Sequence, residues 1–172
     1  MNLLHDIDPG TKEAMNVIIE INKGSHNKYE IDKKTGVIKL DRVMYSAQDY
    51  PFDYGFVPQT LWDDGDALDV VVLTTYPLAP GILLEARPIG ILHMVDSGEA
   101  DEKIIAVASG DPRYEDVKDI ADANQHVLKE IAHFFATYKQ IQKKEVTVGD
   151  FEGREAALAA FHRAQMMYRE SK

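Results

Sequence analysis

Polar and apolar residues alternate through the first part of the chain, as in β-strands that bury one face. Residues 16–21 show this pattern, and residues 28–32 repeat it with charged side chains on one face and Tyr29 and Ile31 on the other. A Lys-Lys-Thr-Gly turn then leads into a further apolar segment, which predicts a hairpin. Five later segments of the β part are predicted as strands: 37–40, 68–73, 82–88, 89–95 and 104–108.

The last third of the chain changes to a helical period. Apolar residues step there by four, three, four and three positions, which places them on one stripe of a helix. They are Val127, Ile131, Phe134, Tyr138 and Ile141. A second, Ala-rich helix is predicted over residues 153–168, with Leu158, Phe161 and Tyr168 roughly on one side. Between the helices, residues 145–148 predict a short edge strand.

The order of these elements predicts the fold class. The strands are short and successive, with Gly and Pro between them, which favours a compact barrel over a βαβ sheet. We therefore expect an α+β protein with a mainly β core and two C-terminal helices packed on it. At 172 residues, the chain has the length of one domain, taken as 1–172.

The composition of the chain indicates the class of protein and the cellular compartment that suits it. The chain is 45% apolar and 28% charged, as in folded soluble proteins, and it contains no cysteine. It therefore has neither a disulfide framework nor a thiolate metal site, which suits a reducing compartment. The N-terminal residues lack the basic start and apolar run of a signal peptide, and no apolar run reaches membrane-spanning length. A cytoplasmic protein with no membrane partner is expected.

The net charge also limits the partners. At −10, the protein repels nucleic acid and anionic membranes in general, so no nucleic-acid partner is expected. If the ligand is itself an anion, cations must mediate its binding.

Two acidic segments carry the candidate chemistry. The segment DDGDALDV starts at Asp63 and runs into an apolar strand, and the segment MVDSGEADEK starts at Met94. If both meet, five carboxylates would form one cup, and hard divalent cations such as Mg²⁺ prefer such oxygen ligands. The five are Asp64, Asp66, Asp69, Asp96 and Asp101. The alternative is two separate, solvated acidic turns; the spacing fits an EF-hand poorly.

Basic and aromatic residues accompany these acids. Lys28, Arg42, Lys103 and Lys139 have the chemistry of phosphate ligands, although each alone could equally form a surface ion pair. In the segment DYPFDYGFVP, Tyr50, Tyr54 and Phe56 alternate. Such tyrosines either pack in the core or offer a hydroxyl to a ligand.

In combination, these motifs resemble those of a known family. They are KYEIDKKTG from Lys28, Asp41-Arg42, YPFDYGFVP from Tyr50, DDGDALDVVV from Asp63, MVDSGEADEK from Met94 and IAHFFATYK from Ile131. In this order, covering nearly the whole chain, they resemble the soluble family I inorganic pyrophosphatases of the short prokaryotic type. The resemblance implies a five-stranded OB-like β-barrel with flanking helices. It also implies Mg²⁺-dependent hydrolysis of pyrophosphate to two phosphates by direct attack of a metal-activated water.

The resemblance also implies roles for individual residues. Asp64, Asp69 and Asp101 match the ligands of the tightest of several Mg²⁺ ions, Asp96 shares a further ion with Asp101, and Glu30 helps to bind another. Asp66 matches the general base. The residues that match groups around the two phosphoryl units are Lys28, Arg42, Tyr54, Lys103, Tyr138 and Lys139, of which Lys28, Arg42 and Tyr54 are also assigned to catalysis. Glu20 and Tyr50 match supporting positions.

Two variable features bear on assembly and subfamily. His133 matches a position near subunit contacts in hexamers of the family, so a homohexamer is expected, although a packing histidine is as good an interpretation. Asp53 stands where other members carry Asn, and this affects the subfamily rather than the activity.

Other functions remain open at this stage. A metal-dependent hydrolase of other phosphoanhydrides would need similar acids, but the chain has no P-loop. An OB-type binding module for single-stranded nucleic acid would need a basic groove, which the net charge opposes. An inactive metal-binding homologue is disfavoured because every catalytic position is filled.

Overall fold

The computed structural model describes residues 1–172 as nine strands and two α-helices. The strands are β1 (Met15–Ile21), β2 (Asn27–Ile31), β3 (Ile38–Val43), β4 (Asp53–Phe56), β5 (Asp69–Leu73), β6 (Leu83–Asp96), β7 (Glu99–Ala100), β8 (Lys103–Ala108) and β9 (Val146–Gly153). The helices are α1 (Gln125–Thr137) and α2 (Arg154–Glu170). Two short 3₁₀ turns, Pro112–Tyr114 and Ile120–Asp122, precede α1. No helix is both long and apolar enough to cross a membrane.

Five strands close into a ring, which confirms the predicted fold class. Their order is β1–β4–β5–β8–β6, and β6 pairs back onto β1. Only β5 and β8 run parallel, with Asp69 opposite Lys103. Because parallel strands begin at the same edge of a sheet, the segments that enter β5 and β8 lie side by side. This arrangement brings the two acidic segments of the sequence to one rim of the ring.

The two helices cover separate parts of the core. Along β5, Val71 belongs to the buried cluster that contains the α1 residues, while Val70 and Val72 belong to the cluster that contains the α2 residues. Successive side chains of a strand point to opposite faces, so one strand serves both clusters. β2 and β3 form a separate two-stranded sheet beside the ring.

Several predicted strands have different bounds in the structure. Residues 82–88 and 89–95, predicted as two strands, form the single strand β6; its pairing with β8 shifts register between Pro88 and Gly90. The irregularity accommodates a proline that cannot donate to the ladder, so Pro88 marks a bulge rather than a strand end. β9 is longer than the predicted 145–148.

Strand β4 was not predicted because it is only four residues long, contains Gly55 and lies between Pro51 and Pro58, which indicate turns rather than a strand. Its Gly55 lies against β1, where an added Cβ would come within 2.0 Å of the carbonyl oxygen of Ile18. Any larger residue would therefore separate β1 from β4. Asp53 is fully buried and accepts hydrogen bonds from Lys23 N at 2.8 Å, Leu78 N at 3.1 Å and the Thr74 hydroxyl. The Asp53 carboxylate therefore fixes the chain segments that contain Lys23, Thr74 and Leu78.

The helices are confirmed, but two details of their apolar faces were predicted wrongly. Ile141 lies beyond the end of α1 and is 62% exposed. In α2 the buried residues are Ala157, Ala160, Phe161 and Ala164, whereas Leu158 and Tyr168 are half-buried. Small side chains let a helix approach a sheet closely, so the alanines rather than the large residues mark the buried face.

Candidate active site

Three carboxylates converge at the rim of the ring. One carboxylate oxygen from each of Asp64, Asp69 and Asp101 lies within 4.8 Å of the other two, and we call these three residues the acidic cluster. Asp69 begins β5, while Asp101 lies just before β8. Asp64 is held in a tight turn in which Trp62 N donates to Asp66 O at 2.7 Å and Gly65 N donates to Trp62 O at 3.0 Å. The two acidic segments therefore form one site rather than two solvated turns.

A buried lysine lies inside the acidic cluster. Lys103 Nζ donates to Asp101 Oδ1 at 2.5 Å and to Asp69 Oδ2 at 2.6 Å, and Lys103 is 2% exposed. Burial alone would lower the pKa of Lys103, but the two carboxylates outweigh burial and raise that pKa above its usual range. The lysine thus stays charged and neutralises part of the cluster.

The remaining charge in the acidic cluster is not fully compensated. Burial, with contributions from Asp69 and Asp64, raises the pKa of Asp101 to about 7 despite the opposing charge of Lys103. Burial is also the main reason that the pKa of Asp64 is raised, and nearby Asp69 and Asp66 add to it. These carboxylates resist ionising together, so a divalent cation between them would be favoured.

The acidic cluster lines a cleft of about 270 Å³. Its charged and tyrosine lining residues are Asp64, Asp66, Asp69, Asp96, Glu99, Asp101, Lys28, Lys103, Lys139, Tyr54 and Tyr138. Six carboxylates thus face three lysines. A smaller adjoining cavity of about 90 Å³ shares Lys28, Tyr54, Asp66 and Asp69 with the cleft.

Each lysine of the cleft is paired with an acid. Lys28 Nζ lies 2.9 Å from Glu30 Oε2 and 3.1 Å from Asp41 Oδ2. Burial opposes the charge of Lys28, but Glu30 and Asp41 together raise its pKa to about 12. Lys139 contacts Asp96, to which the Tyr138 hydroxyl also donates at 3.2 Å.

The pKa values of Lys139 and Asp96 are both lowered, for different reasons. Burial lowers the pKa of Lys139, and the charges of Arg42 and Lys28 lower it further against the opposing effect of Asp96. Burial would raise the pKa of Asp96, but its hydrogen bond and ion pair with Lys139 bring that pKa below its usual value. The contact with Lys139 thus favours the charged form of Asp96, while burial and the neighbouring cations disfavour the charged form of Lys139. Burial also raises the pKa of Tyr54 and Tyr138, which keeps both phenols protonated as donors.

Four residues from the sequence-based set, Glu20, Glu30, Arg42 and Tyr50, lie outside the main cleft. Glu30 and Glu20 line the adjoining cavity, and Glu20 Oε1 accepts from Ile31 N at 2.7 Å, which ties β2 to β1. Arg42 lies on β3 opposite Lys28 without lining the cleft. Tyr50 packs with its ring centroid 4.8 Å from that of Phe134.

Two features of the site were missed in the sequence. Lys33 forms an ion pair with Asp66 and donates to Gly65 O at 3.1 Å, although the pattern suggested only a turn residue. The signal was its position directly after the charged strand that carries Lys28. Asp63, the first carboxylate of its segment, is turned away and forms two hydrogen bonds with Arg163, at 2.6 and 3.1 Å.

The donor chemistry fits a hard divalent cation. The acidic cluster offers only carboxylate oxygens, and the cleft adds further oxygens from Asp66 and Asp96. Mg²⁺ and similar ions take a few such ligands and complete their shell with water or phosphate oxygens. The neighbouring lysines and tyrosines are donors suited to an anion.

Fold and site together define a class: an OB-like barrel protein whose rim combines carboxylates for cations with lysines for an anion. The sequence profile described as "Inorganic pyrophosphatase" matches residues 17–169. The chain belongs to the inorganic pyrophosphatase family.

Individual relatives agree with this assignment. The chain is 50% identical to "Inorganic pyrophosphatase" of Geobacillus stearothermophilus over 160 residues, which cover 93% of this chain and 97% of the relative. It is 48% identical to "Soluble inorganic pyrophosphatase 1" of Arabidopsis thaliana, across 96% of this chain and 79% of that protein. The crystal structure of inorganic pyrophosphatase from Thermus thermophilus superposes with a TM-score of 0.94 at 44% identity, covering 98% of this chain and 99% of that chain. The prediction of the family from the motifs is confirmed.

The buried acids predict an unusual pH dependence of stability. Burial, assisted by Asp69, raises the pKa of Glu20 to about 8, and that of Asp101 is about 7. Both values lie above those of the unfolded chain, so the folded state binds more protons and loses stability as pH rises through this range. We expect the melting temperature in EDTA to fall by about 5 °C or more between pH 5.5 and 8.5.

The control for this experiment is Glu20→Gln. Glutamine can still accept from Ile31 N but has no charge to bury, so the fall between pH 5.5 and 8.5 should be smaller than in the parent. Equal melting temperatures of the parent at the two pH values would contradict the assignment of these raised pKa values.

Proposed function

We propose that this protein hydrolyses inorganic pyrophosphate to two phosphates in a Mg²⁺-dependent reaction with direct attack of water. The observation that carries the proposal is the convergence of Asp64, Asp69 and Asp101 around Lys103 at the rim of the barrel. The family assignment supports the substrate, and the all-oxygen donor set supports the metal. Bound Mg²⁺ would lower the pKa of a coordinated water and offset the negative charge of the phosphates.

We assign the metal ligands by position in the cleft. Asp64, Asp69 and Asp101 would hold the tightest ion. Asp96 lines the same cleft and would share a second ion with Asp101. Glu30, on the adjoining cavity, would contribute to a further ion from the side of β2.

Asp66 is the proposed general base. It lies in the turn that carries Asp64, lines both the cleft and the adjoining cavity, and its side chain is 49% exposed. A carboxylate in this position can reach a water in the cleft, and the ion pair with Lys33 orients it. Accepting one proton from the attacking water is the only chemical step required of the protein, since phosphoryl transfer depends mainly on positioning and charge stabilisation.

The phosphate ligands are proposed from the cationic side of the cleft. Lys28, Lys103, Lys139, Tyr54 and Tyr138 line it and would donate to phosphate oxygens. Arg42 would act from the neighbouring strand. Its Nη2 atom is shielded from solvent and has no hydrogen-bond partner, which supports a contact that an anion would complete. Glu20 and Tyr50 support β2 and the aromatic residues behind the cleft.

Binding of cations and substrate would replace the ion pairs between lysines and carboxylates in the cleft. Each of its lysines contacts a residue proposed as a metal ligand: Lys28 with Glu30, Lys103 with Asp69 and Asp101, Lys139 with Asp96. Cations would take over the carboxylates and release the ammonium groups for phosphate. Metal and substrate are therefore expected to assist each other's binding.

The test of this function is phosphate release from pyrophosphate as a function of Mg²⁺ concentration. We expect rapid release that depends on Mg²⁺ and stops in EDTA. Triphosphate and nucleoside triphosphates, assayed in parallel, distinguish this activity from a general phosphoanhydride hydrolase. Folded protein that releases no phosphate from pyrophosphate in Mg²⁺ would refute the proposal.

Asp69→Asn should act first on the metal. Asparagine keeps the shape of the side chain but removes one negative ligand from the acidic cluster, so the Mg²⁺ concentration for half-maximal activity should rise about tenfold or more. At saturating Mg²⁺ the loss of turnover should be smaller than for Asp66→Asn. An unchanged Mg²⁺ requirement would remove Asp69 from the ligand set.

The cellular location and the oligomeric state of the protein are also proposals. We infer a cytoplasmic enzyme that assembles as a homohexamer, from the family resemblance and from the position of His133 in an open groove beside α1. Sedimentation equilibrium of the purified protein checks the assembly, and a monomer would refute it.

A further inference from the structure

Trp62 stands next to the turn that carries Asp64. Its backbone closes this turn, and its side chain is 6% exposed among apolar residues of the cluster that includes α2. The indole nitrogen donates to Glu102 Oε2 at 2.7 Å. A buried indole N–H needs an acceptor, and here the acceptor comes from the other acidic segment.

Glu102 belongs to the other acidic segment, between Asp101 and Lys103. Successive residues of an extended chain point to opposite sides. Asp101 and Lys103 line the cleft, whereas Glu102 is absent from its lining and reaches Trp62. The hydrogen bond therefore joins the two segments that supply the acidic cluster, on the side away from the cleft.

Helix α2 supports this contact from outside. The guanidinium carbon of Arg163 lies 4.5 Å from the centre of the Trp62 ring, and Arg163 also binds Asp63. The backbone nitrogen of Leu61 donates to Ala164 O at 3.0 Å. The indole is thus fixed from two sides, and Glu102 is the polar group that it holds.

We propose that the hydrogen bond between Trp62 and Glu102 positions Asp64 and Asp101 for cation binding. The inference rests on the proposed metal site and assigns positioning residues to it that do not touch metal or substrate. Apart from the β5–β8 pairing, which begins at Asp69 and Lys103, the two segments meet at the cleft through carboxylates that repel one another and through Lys103. If the hydrogen bond already holds the two segments in place, less of the free energy of Mg²⁺ binding is spent on ordering them.

The experiment is calorimetric titration of the full-length protein with Mg²⁺, for Trp62→Phe, Glu102→Ala, Glu102→Gln and the double variant Trp62→Phe/Glu102→Ala. Phenylalanine keeps an aromatic ring but has no donor, and glutamine keeps an acceptor but has no charge. We expect the Kd for Mg²⁺ to rise about five- to tenfold in Trp62→Phe and in Glu102→Ala. Glu102→Gln should stay close to the parent, and the double variant should bind no more weakly than the weaker single variant.

Two further measurements separate positioning from general stability and charge. At saturating Mg²⁺, kcat should remain within about twofold of the parent, because the acids themselves are intact. Glu152→Gln is the charge control. Glu102 lies near Nδ1 of His93 and Glu152 near Nε2 of the same ring, but only Glu102 accepts a hydrogen bond from Trp62. The Kd of the Glu152→Gln variant for Mg²⁺ should therefore equal that of the parent.

Three results would overturn the proposal. The first is a lowered melting temperature in Trp62→Phe with an unchanged Kd for Mg²⁺, which is a structural role only. The second is weakening by Glu102→Gln as large as by Glu102→Ala, which is an effect of charge. The third is additive weakening in the double variant. Calorimetry requires no turnover, so the expected shifts would support the contact even if the parent released no phosphate.

Discussion

Replacing Asp66 with Asn is expected to lower kcat for pyrophosphate about 100-fold or more and to leave Mg²⁺ binding in place. The amide keeps the size of the carboxylate but cannot accept a proton from the attacking water, and general-base catalysis is typically worth a factor of this order. Asp66 is not a member of the acidic cluster, so calorimetric Mg²⁺ affinity should change less than in Asp69→Asn. The measurement is kcat at saturating Mg²⁺ together with the Kd for Mg²⁺.

The control for Asp66→Asn is Asp116→Asn, the same change at an exposed residue outside the site. It should leave both kcat and the Kd for Mg²⁺ at the values of the parent. If Asp66→Asn instead lost Mg²⁺ binding to the same degree as Asp69→Asn, Asp66 would be a ligand and not the base. If its kcat were retained, another group would have to take the proton.

The acidic cluster was predictable from sequence because each of its members is fixed by a local feature. Asp69 directly precedes a buried apolar strand, and Asp101 lies just before another, so both had to stand at strand ends. What the alternation of residues could not show was that these two strands run parallel and begin at the same rim. That pairing is non-local; the family resemblance implied only that Asp64, Asp69 and Asp101 share a metal ion.

Other features had no local signal. β4 is four residues long and is flanked by prolines, and Pro88 looks like a strand end although it marks a bulge inside β6. Ion pairs such as that of Lys33 with Asp66 join residues more than thirty positions apart. Such pairs depend on side-chain placement across the β2–β3 sheet and the ring, which a single sequence does not encode by spacing.

Lys103 carries the second large prediction. In EDTA, Lys103→Met should lower the free energy of unfolding by about 3–5 kcal/mol, because it removes the one cation between two buried carboxylates. Methionine fills a similar volume, so the loss reports charge rather than a cavity. Urea unfolding of the parent and the variant measures the effect. Lys39→Met is the control: its ion pair with Asp32 lies at the surface, so the loss of stability should be much smaller than in Lys103→Met.

The same variant distinguishes a structural lysine from one that a metal can replace. Mg²⁺ would bind the carboxylates that the loss of Lys103 leaves unpaired, so adding it should stabilise Lys103→Met more than it stabilises the parent. Activity should nevertheless stay low in saturating Mg²⁺, because methionine cannot donate to a phosphate. Recovery of stability without recovery of turnover would assign Lys103 both roles: a partner of the acidic cluster before substrate arrives and a phosphate ligand afterwards. Full turnover in the variant would contradict the second role, and equal stability in EDTA would contradict the first.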